Sequence, residues 1–183
     1  MPIRSALSIL TGTLLIGASL LSLAPASQAA DAAGEFRKPV IDIGIVVKDA
    51  GRTARFLTNA IGFKEVKGFP VTSELGKKIG LTDGEPTDVR VFVLDDGDQA
   101  TRIKVLCFPK AQNKQPDQAY IHSTTGIRYL TLYVKDVTRA LERLKKEGVS
   151  LLGETPVDLG GGNFLVAVKD PDGNFIELIG PRL

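Results

Sequence analysis

A single cysteine, Cys107, stands in this chain of 183 residues. It can form no internal disulfide even in an oxidising compartment, so stability must come from packing. Its place in an apolar strand predicts a buried, inert thiol rather than a nucleophile. No cysteine lies near the apolar N-terminal run, which argues against a lipoprotein anchor. An excess of charge of one sign is missing too, with 23 basic against 21 acidic residues. A nearly neutral balance gives no reason to expect nucleic acid or an anionic membrane as partner.

Charge is absent altogether from Ala6 to Leu23, a run of small and apolar residues. One positive charge, Arg4, precedes it, and Ser27-Gln28-Ala29 offers small residues at the two positions a signal peptidase reads. Residues 1–29 are therefore expected to be a signal peptide, followed by a flexible segment, 30–39. The apolar run is nearly long enough for an uncleaved anchor, but Gly12, Gly17, Ser19 and Pro25 weaken that alternative. Cleavage leaves about 150 residues, enough for one domain with a core. The mature protein is expected in the periplasm or secreted, with no membrane attachment.

What remains repeats itself. Gly126-Ile-Arg-Tyr-Leu-Thr-Leu-Tyr-Val-Lys-Asp136 follows the pattern of Val40-Ile-Asp-Ile-Gly-Ile-Val-Val-Lys-Asp49, and an offset of 87 residues separates both Asp49 from Asp136 and Asp42 from Tyr129. Each copy runs strand, Asp, helix, so the repeat is a supersecondary unit. Each half reads as β-α-β-β-β, in modules 40–109 and 126–181 of one domain spanning 40–181. In the first, strands are predicted at Val40–Lys48, Phe63–Val66, Val89–Leu94 and Arg102–Phe108, with Asp49 capping a helix over Arg52–Ala60 that Gly62 ends. In the second, strands are predicted at Arg128–Lys135, Leu151–Leu152, Phe164–Val168 and Phe175–Ile179. Asp136 caps a helix over Thr138–Glu147 that places Ala140, Leu141 and Leu144 on one face. Asp95-Asp-Gly-Asp98 and Asp170-Pro-Asp-Gly-Asn174 are matching turns. The first module has a longer insertion, Lys67–Asp88, rich in glycine, which reads as a lid or a surface loop with a short helical turn at Ser73–Lys78. Ala111–Ser123 links the modules.

Strand alternation groups the polar residues. Asp42, Gly44 and Val46 share one face, as do Tyr129, Thr131 and Tyr133, while Lys104 shares a face with Leu106. Glu177 lies between the apolar Ile176 and Leu178, either at an edge or as a polar group in a cavity.

The Asp-Pro-Asp-Gly-Asn-x-Ile-Glu-Leu stretch and the paired strand–Asp–helix starts resemble the vicinal-oxygen-chelate superfamily. This family includes glyoxalase I, extradiol dioxygenases, fosfomycin-resistance enzymes and bleomycin-resistance proteins. The resemblance covers Val40 to Pro181 and implies an α+β fold of paired βαβββ modules, a curved mixed β-sheet around a cavity with helices on the outside. Metal-dependent members converge four strand positions on one divalent ion, typically through His, Glu or Gln. On this chain the resemblance maps those positions to Asp42, Lys104, Tyr129 and Glu177. Only Glu177 fits the usual pattern. A charged Lys104 has three donors and no lone pair, so it stands in for the metal's charge, and it should lie within salt-bridge reach of Asp42 or Glu177. His122, the only histidine, lies in the linker and can restore no ligand at the mapped positions.

These residues favour an exported small-molecule binding module in the manner of the bleomycin-resistance proteins. Its pocket would be lined by Asp42, Lys104, Tyr129, Tyr133 and Glu177, and no cofactor is expected. The alternative is a glyoxalase-type lyase or isomerase, or a ring-cleaving dioxygenase, with an atypical site. It would use a divalent metal, or a metal-free route in which Glu177 is the base and Lys104 stabilises an enolate oxygen. A purely structural domain is the third reading. Monomer and homodimer are both open.

N-terminal sequencing of protein from the cell envelope should find a mature chain beginning at Asp31 or within two residues of it. Intact Met1, or recovery in the cytosol, would contradict the export signal.

Overall fold

Alternation along the first strand sends Ile43, Ile45 and Val47 to one side and Asp42, Gly44 and Val46 to the other. That division recurs in the second module and sets the architecture. The computed structural model describes residue 34, residues 36–97 and residues 99–183. The expected signal peptide lies outside the described residues, as does Asp98 of the first turn. Of a separate unit, Met1–Arg37, only Gly34, Phe36 and Arg37 are described, and both modules belong to the unit Lys38–Leu183.

The first module contains β1 (Asp42–Val47), α1 (Ala50–Arg55) continued by a π-helical stretch Phe56–Ile61, β2 (Lys64–Val71), α2 (Ser73–Lys78), β3 (Thr87–Val93) and β4 (Arg102–Cys107). The second contains β5 (Tyr129–Tyr133), α3 (Val137–Lys146), β6 (Val157–Gly160), β7 (Asn163–Lys169) and β8 (Phe175–Pro181). The strands form two four-stranded mixed sheets, in the orders β1-β4-β3-β2 and β5-β8-β7-β6. In each, the first and last strands of the module run parallel and the other pairings are antiparallel. The fold is α+β. No described helix is long and apolar enough to cross a membrane.

The aspartates of the repeat start the helices. Asp49 accepts the Arg52 N–H at 2.8 Å and Asp136 the Thr138 N–H at 2.8 Å, satisfying donors that a helix start leaves open. Gly62, at φ +103°, ends the π-helical stretch in a conformation that side chains disfavour. The helices then pack on each other and on one face of each sheet. Ala60, Val137, Ala140 and Leu144 are fully buried in one core with Phe92, Val105, Val166 and Leu178 from the two sheets. Arg143 of α3 crosses the seam and donates to the Ile61 carbonyl at 3.0 Å, a cation at the carbonyl end of a helix.

The Asp170–Asn174 signature proves to be a folding device. The Asp170 carboxylate accepts N–H groups from Asp172 and Asn174 and the Asn174 side-chain amide, at 2.8–2.9 Å. Burial pushes its pKa up against those hydrogen bonds. Asp172 in turn accepts the Lys48 N–H at 3.3 Å, tying the second module's turn to the end of β1.

Several expectations need correction. β2 runs on to Val71 and β3 begins at Thr87, so the insertion is shorter than Lys67–Asp88. β2 tolerates Pro70 because it is an edge strand. Gly68 sits at an irregularity in its pairing, where a Cβ would lie 2.0 Å from the Val89 carbonyl oxygen. Leu151 makes only an isolated bridge to Val168. The true sixth strand, Val157–Gly160, is exposed throughout, and its alternation of Val157 and Leu159 with Asp158 and Gly160 is only four residues long and runs into Gly161 and Gly162. Cys107 is half-buried rather than buried, because it ends β4. Its thiol faces the Lys48 carbonyl at 3.5 Å.

Leu144→Ala should cost about 2–5 kcal/mol, as a cavity in a core that cannot collapse does, and urea denaturation should remain one transition. Separate unfolding of the two modules would contradict a shared core.

Candidate functional site

Register defines which positions correspond. In the first sheet Gly44 lies opposite Lys104, and in the second Thr131 lies opposite Glu177. Asp42 and Tyr129 sit two residues earlier on the same faces, opposite Arg102 and Phe175. Asp42, Lys104, Tyr129 and Glu177 therefore occupy equivalent positions of the two modules, each on the face turned away from the core.

The local chemistry of the two halves differs for one reason. Thr131 carries a hydroxyl, which donates to Glu177 Oε2 at 2.7 Å directly across the strand pair. Its counterpart Gly44 has no side chain. Lys104 therefore finds nothing opposite and reaches diagonally to Asp42 Oδ2, at 2.9 Å. Thr131 is the residue that sequence reasoning left out of the site. The constant offset of 87 residues pairs it with Gly44 and is the signal that could have found it.

Lys104 pairs with Asp42 and not with Glu177. Among the described residues, no hydrogen bond or ion pair joins the Asp42–Lys104 couple to Glu177 or to either tyrosine. Tyr129 is 50 % and Tyr133 82 % exposed. His122 is exposed in the linker, its ring stacked on Tyr120. That linker is strapped to the second module: Gln118 donates to Asn174 Oδ1 at 3.0 Å, and Arg128 donates to Gln118 Oε1 at 2.6 Å.

The four positions do not suit a divalent ion. An ammonium offers no lone pair, Asp42 is engaged by it, and one Glu177 oxygen is engaged by Thr131. No group of three or more His, Cys, Asp or Glu among the described residues is placed to hold a metal. Repulsion between like unit charges 4 Å apart is about 4 kcal/mol at an effective dielectric near 20, and doubles for a divalent ion.

A family model covering residues 40–178 matches this chain, described as Glyoxalase/Bleomycin resistance protein/Dioxygenase superfamily. The chain belongs to this superfamily. Its fold is shared by a glyoxalase-family protein from Bacillus cereus, at TM-score 0.63 and 22% identity over 78% of this chain and 93% of that one. The trypanothione-dependent glyoxalase I of Leishmania major matches at TM-score 0.55 and 22% identity over 76% and 84% of the two chains. An antibiotic-binding protein from a Streptomyces species matches at TM-score 0.50 and 20% identity over 76% and 93%. A search of curated proteins finds no match.

Both partners of the Asp42–Lys104 pair are about one-third exposed, at 35% and 34%. Pairs of this kind contribute about 0–1 kcal/mol. Lys104→Met should thus leave the urea-unfolding free energy within about 1 kcal/mol of wild type. A larger loss would make the pair a structural element.

Proposed function

We propose that this superfamily member is an exported protein, periplasmic or secreted, that binds a small organic molecule without the family's metal chemistry. The observation that carries the reading is the 2.9 Å contact between Lys104 and Asp42, which holds a cation at a position that the family resemblance maps to a metal ligand. A protein that keeps a buffered pair of charges there has given up a Lewis acid and retained a recognition surface. Asp42, Lys104, Tyr129, Tyr133 and Glu177 supply that surface with a carboxylate–ammonium couple, two phenols and a second carboxylate. Binding is a use to which this fold is put, as the antibiotic-binding Streptomyces protein illustrates. Nucleic acid and membrane are not expected partners of a chain with so little net charge. The reading holds for a monomer and for a homodimer.

The wild-type protein should retain no stoichiometric zinc, nickel, manganese or iron after dialysis against each and then against buffer. Lys104→Glu should raise divalent affinity, favouring manganese or magnesium over zinc because the donors are oxygens. Tight transition-metal binding by the wild type would overturn the proposal and favour an enzyme.

A further inference from the structure

β3 is buried on both faces. Phe92 enters the shared core, but Val91 and Val93 point the other way and are still only 4 % and 5 % exposed. Register places Val91 between Val66 and Lys104, and Val93 between Lys64 and Arg102. The face that carries Lys104 therefore has an apolar floor flanked by cations. A cavity of about 330 Å³ opens over this floor, extending to Phe69, Lys67 and the Asp95–Gly97 turn. That volume is at the lower end of the range for small-ligand sites.

The cations around it are unequally matched. Lys104 is paired with Asp42, and Lys64 with Asp96 at 2.5 Å. Arg102 is half-buried and its side chain makes no ion pair or hydrogen bond among the described residues, although it stands directly opposite Asp42 in the strand register. Lys104 has taken that carboxylate from the next row. Lys67 is exposed and likewise unpaired among the described residues, where Asp95 is the one carboxylate of this rim without a cationic partner.

An unpaired guanidinium beside buried valines is complementary to a carboxylate attached to an apolar body. The guanidinium fork takes both oxygens, and the body covers the floor. We infer that this cavity binds an organic monocarboxylate with an apolar body, held by Arg102 and seated on Val66, Val91 and Val93. The inference gives the binding function proposed above a ligand class at the cavity beside Lys104, the one residue of that surface that lines it, and it rests on Lys104 rather than a metal completing the Asp42 position.

Isothermal titration calorimetry of the mature chain with 4-phenylbutyrate tests it, with neutral 4-phenylbutanamide in parallel and the metal content of each sample measured. The carboxylate should bind at one site, and the amide at least about tenfold more weakly, the loss of one charge-assisted contact. Arg102→Gln should bring the carboxylate down to the level of the amide without shifting Tm, and Arg102→Lys should fall between, since a point charge replaces the fork. Equal affinity for the two probes, no binding of either, or an unchanged Arg102→Gln would overturn the inference. In metal-free protein such a result overturns the anion assignment alone, whereas stoichiometric metal in the same sample overturns the reading of the site beneath it.

Discussion

Burial of α1, its π-helical continuation and α3 against one another, and against one face of each sheet, is the constraint on which the rest of this structure depends. Ala60, Val137, Ala140 and Leu144 have no exposed surface, and the core they form is continuous across both modules. Because each strand alternates, committing one face to that core leaves the other face free for polar groups. Asp42, Lys104, Tyr129 and Glu177 all occupy that second face. Their placement follows from packing, and their chemistry is free to vary without cost to the core.

Variation has indeed occurred, and unevenly between the halves. A threonine opposite Glu177 gives that carboxylate a neutral hydroxyl donor, and it remains an acid available at the surface of the sheet. A glycine opposite Lys104 gives the ammonium nothing, and it turns to Asp42. Arg102 is left without the carboxylate it faces. A difference of one side chain, Gly44 against Thr131, thus propagates through three charged residues. It separates a half-site whose carboxylate has a neutral partner from a half-site whose carboxylate is paired with a cation.

Much of this was legible in the sequence. The 87-residue repeat located the parallel first strands and both capping aspartates, since caps and alternation are local signals. The fold class followed from the family resemblance that the paired modules carry. Three things were not legible. β6 alternates over only four residues and runs straight into glycines, so Val157–Gly160 was too short a signal to announce a strand. β2 continues through Gly68 and Pro70, residues that usually end strands but are tolerated at an irregular edge. Arg102 and the buried valines of β3 needed pairing information, because strand alternation names a face but not the neighbours on it.

The most direct measurement of the central claim is native mass spectrometry of the protein purified from its own cells without chelator. The account predicts a chain free of divalent metal, as apo-protein or with an added organic mass. A stoichiometric transition-metal ion that survives desalting would contradict it, because Lys104 and the metal cannot share one position.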